Sequence, residues 1–258
     1  MTSPGSVSLT ESGLLDRILF GDCLELFGQI PAGSIDLVLA DLPYGTTQNK
    51  WDSVIDLPTL WEHYRRVVKP NGAIVLTAAQ PFTSVLVCSN LKMFKYEWIW
   101  SKTVGSGQLN IRHQPLRTHE SVLVFYSKVP SYTPQMTEGS PYTQRRDVQG
   151  DGYGKQRPVE VVNDGKRHPK SVLTVPNPRT KGGHPTQKPV ALFSYLIETY
   201  TQPGEVVLDN VIGSGTTAES ALRTGRRYVG MELDPAYHTM AVERAERVRS
   251  ELDSQLPL

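Results

Sequence analysis

Two distant segments of this 258-residue chain carry residue types that could do chemistry together. The first is Asp41-Leu42-Pro43-Tyr44-Gly45, which follows the apolar run Ile35–Ala40. Proline restricts the residue before it, so the Leu42 carbonyl is held in one direction. Two fixed acceptors, the Asp41 carboxylate and that carbonyl, could grip both N–H bonds of an amino group and turn its lone pair outward. Tyr44 offers a flat ring for stacking, and Gly45 lets the chain turn away. The second segment runs Asp209-Asn210-Val211-Ile212-Gly213-Ser214-Gly215-Thr216, with Glu232 at the end of the next apolar run. A glycine turn lets the main chain approach a ligand, and a carboxylate at the following strand's tip can accept both hydroxyls of a ribose. The third glycine of a dinucleotide site and the lysine of a phosphate loop are both missing. Asp209 would repel a pyrophosphate but welcome a cation.

The surrounding pattern shows what must position these residues. Seven apolar, β-branched runs read as strands: Arg17–Phe20, Ile35–Ala40, Ala73–Ala78, Tyr96–Trp100, Ser121–Tyr126, Glu205–Asp209 and Tyr228–Glu232. Most are continuous rather than alternating, as in strands covered on both faces. Helical stripes lie between them: Leu57, Leu60, Trp61, Tyr64 and Val68, ended by Lys69–Gly72; then Leu192, Phe193, Leu196, Ile197 and Tyr200, ended by Pro203-Gly204. Asp234-Pro235 reads as an N-cap with proline in the first turn, ahead of Tyr237, Met240, Ala241, Ala245 and Val248. Strands alternating with helices predict an α/β, doubly wound, mostly parallel sheet.

Residues from about 129 to 180 break this pattern, with seven of the 19 prolines and no long periodic run. A stretch of that length is too long for an ordinary loop and reads as an irregular insertion that does recognition work. Between Ser127 and Lys181 ten Lys and Arg stand against five acids, whereas the whole chain carries only +1. A basic segment on a slightly acidic body suits a polyanion. The expected division is a flexible tail (1–12), a first half (13–128), the insertion (129–180) and a second half (181–258). The two cysteines, Cys23 and Cys88, make neither a disulfide framework nor a zinc site, and are expected to be buried free thiols of a reducing cytosol. No metal-ligand spacing is visible, and no apolar run reaches membrane-spanning length.

A ribose-binding acid, a close main-chain turn and an anionic strand end together suit S-adenosylmethionine, which bears a ribose, an adenine and a sulfonium cation. Asp41–Tyr44 would then hold an exocyclic base amine facing the methyl, and the base must leave the duplex to arrive there. Asp-Leu-Pro-Tyr with Asp-Asn-Val-Ile-Gly-Ser-Gly-Thr-Thr resembles the amino-methyltransferases of DNA, whose signatures are Asp-Pro-Pro-Tyr and a Phe-x-Gly-x-Gly loop. The order of the two blocks is similar to the circularly permuted β class, specific for adenine N6. The similarity runs from about Arg17 to Arg247. By that resemblance the fold is a seven-stranded, S-adenosylmethionine-dependent methyltransferase sheet with helices on both faces. The catalytic residues are Asp41, Leu42, Pro43 and Tyr44. The donor contacts implied are Asp22 of Gly21–Glu25, near the adenine; His184, Thr186 and Lys188 of His184–Pro189, bordering the methionine tail; and Asp209, Gly213, Ser214, Gly215, Thr216 and Glu232. The insertion becomes the target-recognition region, with Arg145, Arg146, Lys166 and Arg167 on DNA and Trp51 stacking beside the active loop. Two departures stand out. Leu42 replaces a proline whose carbonyl is the part used, and Asn210-Val211 replace Pro-Phe, which puts the usual apolar contact to the donor in question.

The expected partners are double-stranded DNA, a second copy in a homodimer and a cognate restriction endonuclease. The expected location is the cytoplasm, at the nucleoid. Three other readings stay open. Cytosine N4 is an alternative target, although Asp41 favours adenine over the serine more frequent in cytosine relatives. RNA or a protein amide would keep the chemistry and change the substrate. A DNA-binding regulator would retain the fold without turnover.

Overall fold

The computed structural model describes residues 9–45, 54–146, 159–178 and 187–255. Trp51, His184 and Thr186 lie outside the described residues, as does the side chain of Arg146. In chain order the elements are β1 (Arg17–Phe20), α1 (Cys23–Leu26), β2 (Ile35–Ala40), α2 (Leu57–Val67), β3 (Val68–Ala78), α3 (Phe82–Ser89), β4 (Phe94–Ser106), β5 (Arg117–Phe125), β6 (Thr137–Glu138), β7 (Tyr142–Arg146), β8 (Val159–Asn163), β9 (Lys166–Arg167), β10 (Val172–Thr174), α4 (Val190–Tyr200), β11 (Val206–Asp209), α5 (Thr216–Arg223), β12 (Arg227–Glu232) and α6 (Pro235–Asp253).

One sheet runs in the order β1-β12-β11-β2-β3-β5-β4-β10. Only β5 runs against its neighbours β3 and β4; the other pairings are parallel. All seven predicted runs are strands of it, but among the described residues the sheet has eight strands rather than seven. The eighth, β10, lies inside the stretch read as an irregular insertion and adds to the outer edge of β4. Three residues flanked by lysine and prolines are too short to show a period. The segment Lys69–Gly72 does end α2, but it bulges within β3. The pairing jumps from Ile35↔Val68 to Leu37↔Ala73, so the intervening residues loop out of the ladder.

Every residue of β2 is buried, which explains its unbroken apolar run. Val38 and Ala40 pack in one core with α2 and α3, while Leu37 and Leu39 pack in a second core with α4, α5 and α6. The sheet is therefore the middle layer of three. From β2 the chain passes through α2 to β3 on one side. From β11 it passes through α5 to β12 on the other. The order reverses between β2 and β11, which pair at Val207↔Leu37 and Leu208↔Val38. Ligands of open α/β sheets bind outside the carboxyl ends of the strands at such a point.

The residues Pro134–Lys170 form a compact unit of their own, built of two antiparallel pairs, β6–β9 and β7–β8. Arg167 holds this unit together. It donates to Ser140 O and Asn163 Oδ1, and its guanidinium lies 4.8 Å from the centre of the Tyr142 ring. Among the described residues no helix is long and apolar enough to cross a membrane. Cys23 is buried as expected, but Cys88, near the end of α3, is exposed, because it falls on the face of that helix turned from the core formed by Phe82 and Leu86.

Asn210, at the end of β11, is buried; it accepts a hydrogen bond from the Tyr64 hydroxyl at 2.6 Å. Its amide lies 3.5 Å from Cys23 Sγ. This polar contact joins α2, β11 and α1 beneath the glycine turn. Tyr64→Phe deprives the buried Asn210 oxygen of its donor and is expected to lower stability by about 1–3 kcal/mol. Denaturant unfolding measures this; a change of only a few tenths would show that the contact contributes little.

Candidate active site

The carboxyl ends of β2, β11 and β12 open into a cavity of about 730 Å3, within the range of small-molecule sites. Asp41, Leu42, Pro43 and Tyr44 line it, as do Asp22, Lys188, Asp209, Gly213, Ser214, Thr216 and Glu232. The two distant segments therefore meet in one space.

At the β2 end, Asp41 Oδ1 accepts hydrogen bonds from the Tyr44 hydroxyl at 2.7 Å and from the Thr77 hydroxyl at the end of β3. Its Oδ2 accepts from the Lys188 ammonium. The Tyr44 ring stacks on Phe82, with centroids 5.3 Å apart. Burial, with the nearby carboxylates of Asp41 and Glu120, holds the Tyr44 phenol well above its ordinary pKa, so it stays a neutral donor. The Leu42 side chain is buried in the core, which anchors the backbone on which its carbonyl sits. Lys188 is buried; burial opposes its charge, but Asp41 and Glu120 outweigh that and raise its pKa above the usual lysine value. Its ammonium lies 3.4 Å from Glu120 Oε2, a buried oxygen outside hydrogen-bond geometry, while Glu120 Oε1 takes Lys102.

At the other end, the two oxygens of Glu232 accept from the main-chain N–H groups of Gly213 (2.8 Å) and Asp234 (2.9 Å). Burial pushes its pKa up, and those N–H groups with that of Leu233 partly offset the rise. Each oxygen keeps a lone pair for a further donor. Glu232 pairs with neither adjacent arginine; Arg227 binds Asp16, and Arg226 binds Thr201 and Thr224. Asp209 is buried at the tip of β11; it accepts from the Thr217 hydroxyl and from the Val211 N–H at 3.1 Å. Burial drives its pKa up to about 7; Thr217 and Val211 oppose the shift, while Asp41 and Glu232 add to it. Asp22 caps α1 through the Leu24 N–H at 2.8 Å. Gly215 turns from the cavity toward α6: its φ is +83°, and a Cβ there would meet the Ala241 backbone at 3.0 Å.

Glu120, Thr77 and Lys102 did not stand out in the sequence. Because β5 is antiparallel, its first residues lie at the edge where β3 ends, as the pair Ala78↔Ser121 shows. The available signal was a glutamate directly before the apolar run Ser121–Phe125, but its meaning depends on strand direction. Arg244 was also missed. It pairs with Glu219 at 2.5 Å and donates to Ser214 O at 3.1 Å, fastening α6 to the glycine turn.

An open α/β sheet with a cavity at its switch point defines a broad class of ligand-binding α/β proteins. The N6/N4 methyltransferase family model, described as DNA methylase, matches residues 35–243, and the chain belongs to that family. It is 29% identical over 249 residues to the DNA adenine methyltransferase YhdJ of Escherichia coli (strain K12), covering 89% of this chain and 82% of that protein. Among solved structures, it is similar to the M1.HpyAVI–SAM complex, with TM-score 0.61 and 22% identity over 88% of this chain and 98% of that one. It is also similar to the cytosine-N4-specific PvuII DNA methyltransferase, with TM-score 0.65 and 16% identity over 92% of each chain. These two likenesses establish the fold.

The elevated pKa of Asp209 makes a test. The folded state keeps this proton between about pH 4 and pH 7, where the unfolded state has lost it. Its stabilising contribution is full below about pH 4, is lost as pH rises to about 7, and is absent above. Asp209→Asn removes that dependence, so the Tm of the variant relative to the unaltered chain is expected to be more favourable at pH 8 than at pH 5. An offset independent of pH would contradict the assignment.

Proposed function

We propose that this chain transfers a methyl group from S-adenosylmethionine to N6 of an adenine flipped out of duplex DNA, as a β-class, circularly permuted member of its family. The observation that carries this reading is the shared cavity. A carboxylate whose Oδ1 is fixed by two hydroxyls faces the same space as a buried strand-end acid and a ribose-type glutamate. The chain order, with Asp41–Tyr44 first and the glycine turn last, supports the permutation. The name of the YhdJ relative supports adenine.

The residues present fit the donor. Glu232 has lone pairs left for ribose hydroxyls, Asp22 stands on the same wall, and Asp209 provides buried negative charge for a cation. When bound, S-adenosylmethionine supplies an electrophilic methyl. Asp41 Oδ2 and the Leu42 carbonyl accept the two N–H bonds of the base amine and orient its lone pair; Tyr44 and Pro43 wall the base. The C–N bond would form as the donor's C–S bond breaks to leave a neutral thioether, and the amine would then lose one proton along its hydrogen bond to Asp41. Lys188 holds Oδ2 before the base arrives, and Glu120 Oε2 stands ready to take the ammonium when Asp41 turns to the amine. Positioning and exclusion of water supply most of the acceleration.

The unit Pro134–Lys170, with the residues flanking it, reads as the target-recognition region. Arg145 and Lys166 are exposed there and suit phosphate contacts; Arg146 and Arg167 belong to the same basic set, although the Arg167 guanidinium is already engaged within the unit.

Labelled-methyl transfer to DNA, followed by nucleoside analysis, tests the reading. N6-methyladenine is expected; N4-methylcytosine would move the target to cytosine. Asp41→Ala is expected to keep donor binding and lose turnover by about 100-fold or more. Glu232→Ala is expected to weaken donor binding by about tenfold, through the lost ribose hydrogen bonds, with a smaller effect on turnover. Unchanged turnover in the first variant, or unchanged donor affinity in the second, would remove that residue from its role.

A further inference from the structure

The hairpin joining β4 to β5 has no part in the site described so far, apart from its base. Lys102, Ser106 and Arg117 at that base line the cavity. Beyond them every residue from Gln108 to His119 is exposed. The tip bears exposed apolar side chains: Leu109 is fully exposed at 100% and Ile111 is 62% exposed. Lys102 at the base is paired with Glu120, but from Thr103 to His119 the sequence has Arg112, Arg117, two histidines and no acid. The tip is nevertheless shaped. Gly107 takes a left-handed φ of 94° and begins a 3-10 turn. Main-chain bonds from Asn110 to Gly107 (3.0 Å) and from His113 to Asn110 (2.9 Å) close it. Below it the strands approach closely at Gly105, where a Cβ would meet Leu116 Cβ at 2.9 Å.

We propose that this hairpin is the wedge that opens duplex DNA beside the target base, with Leu109 and Ile111 entering the base stack while Arg112 and Arg117 hold the flanking phosphates. Apolar wedges inserted between base steps unstack them, and cations on the same element fix the backbone. The argument for DNA as the occupant is charge complementarity together with continuity. The element that presents the apolar tip also forms, at its base, a wall of the cavity that the extruded base would enter. The inference rests on the proposed function and adds how the base is brought out.

The test uses the full chain and short duplexes carrying the methylated sequence found by modification mapping. One duplex is fully paired; in the other the target base stands opposite an abasic site, so little stacking or pairing remains to be broken. The Leu109→Ser/Ile111→Ser variant is expected to lose about tenfold or more in kcat/KM on the paired duplex and less than about threefold on the abasic one. Arg112→Gln is expected to weaken binding to both and to flatten the salt dependence by about one phosphate contact. Equal loss on both duplexes, or no loss on either, would overturn the wedge. So would a change in sedimentation of the serine variant, which would assign the tip to contact between copies. The unaltered chain is read on the same duplexes, so that failure of the wedge is distinguished from failure of the proposed function.

Discussion

Two acids stand at the tips of neighbouring parallel strands, and the site is organised around making that tolerable. Pairing of β2 with β11 brings Asp41 and Asp209 to one cavity. Carboxylates sharing one space repel, and the structure answers differently for the half-buried Asp41 and the buried Asp209. Asp41 receives a buried ammonium and two hydroxyls. Asp209 receives one hydroxyl and one main-chain N–H, and burial drives its pKa up to about 7. A positive ligand beside Asp209 would stabilise its ionised form, and a donor of N–H bonds could take the place of Lys188 on Asp41.

The remaining architecture keeps this arrangement in register. Leu42 and Tyr64 are buried in the layer with α2, and Tyr64 reaches Asn210 under the glycine turn. On the opposite face, Arg244 and Gly215 bring α6 against the same turn. Thus both helical layers brace one loop, and the two halves of the cavity are supported from opposite sides of the sheet. Asn210, where the family signature has a proline, is a structural residue here, satisfied by Tyr64 and Cys23.

Much of this was legible in the sequence because buried parallel strands leave unbroken apolar runs. All seven such runs became strands, and the residues at their carboxyl ends, Asp41, Asp209 and Glu232, line the cavity. What local pattern cannot encode is what comes from other strands. Glu120 enters the site only because β5 runs backwards, and Lys188 meets Asp41 across 147 residues of chain. β10 escaped notice because three residues carry no period, and Cys88 was misplaced because a short, strongly apolar helix does not show which face is outward. Gly215 illustrates a different limit: its type signals close approach, but whether to a ligand or to a helix depends on packing.

The central claim is that the cation-bearing donor joins the Asp209 and Glu232 end of the cavity to the Asp41 end. A crystal structure with S-adenosylmethionine bound measures this directly. The account predicts ribose hydroxyls on Glu232 and the sulfonium methyl in the open space between Asp209 and Asp41. A donor bound elsewhere, or bound here with its methyl turned from Asp41, would contradict it.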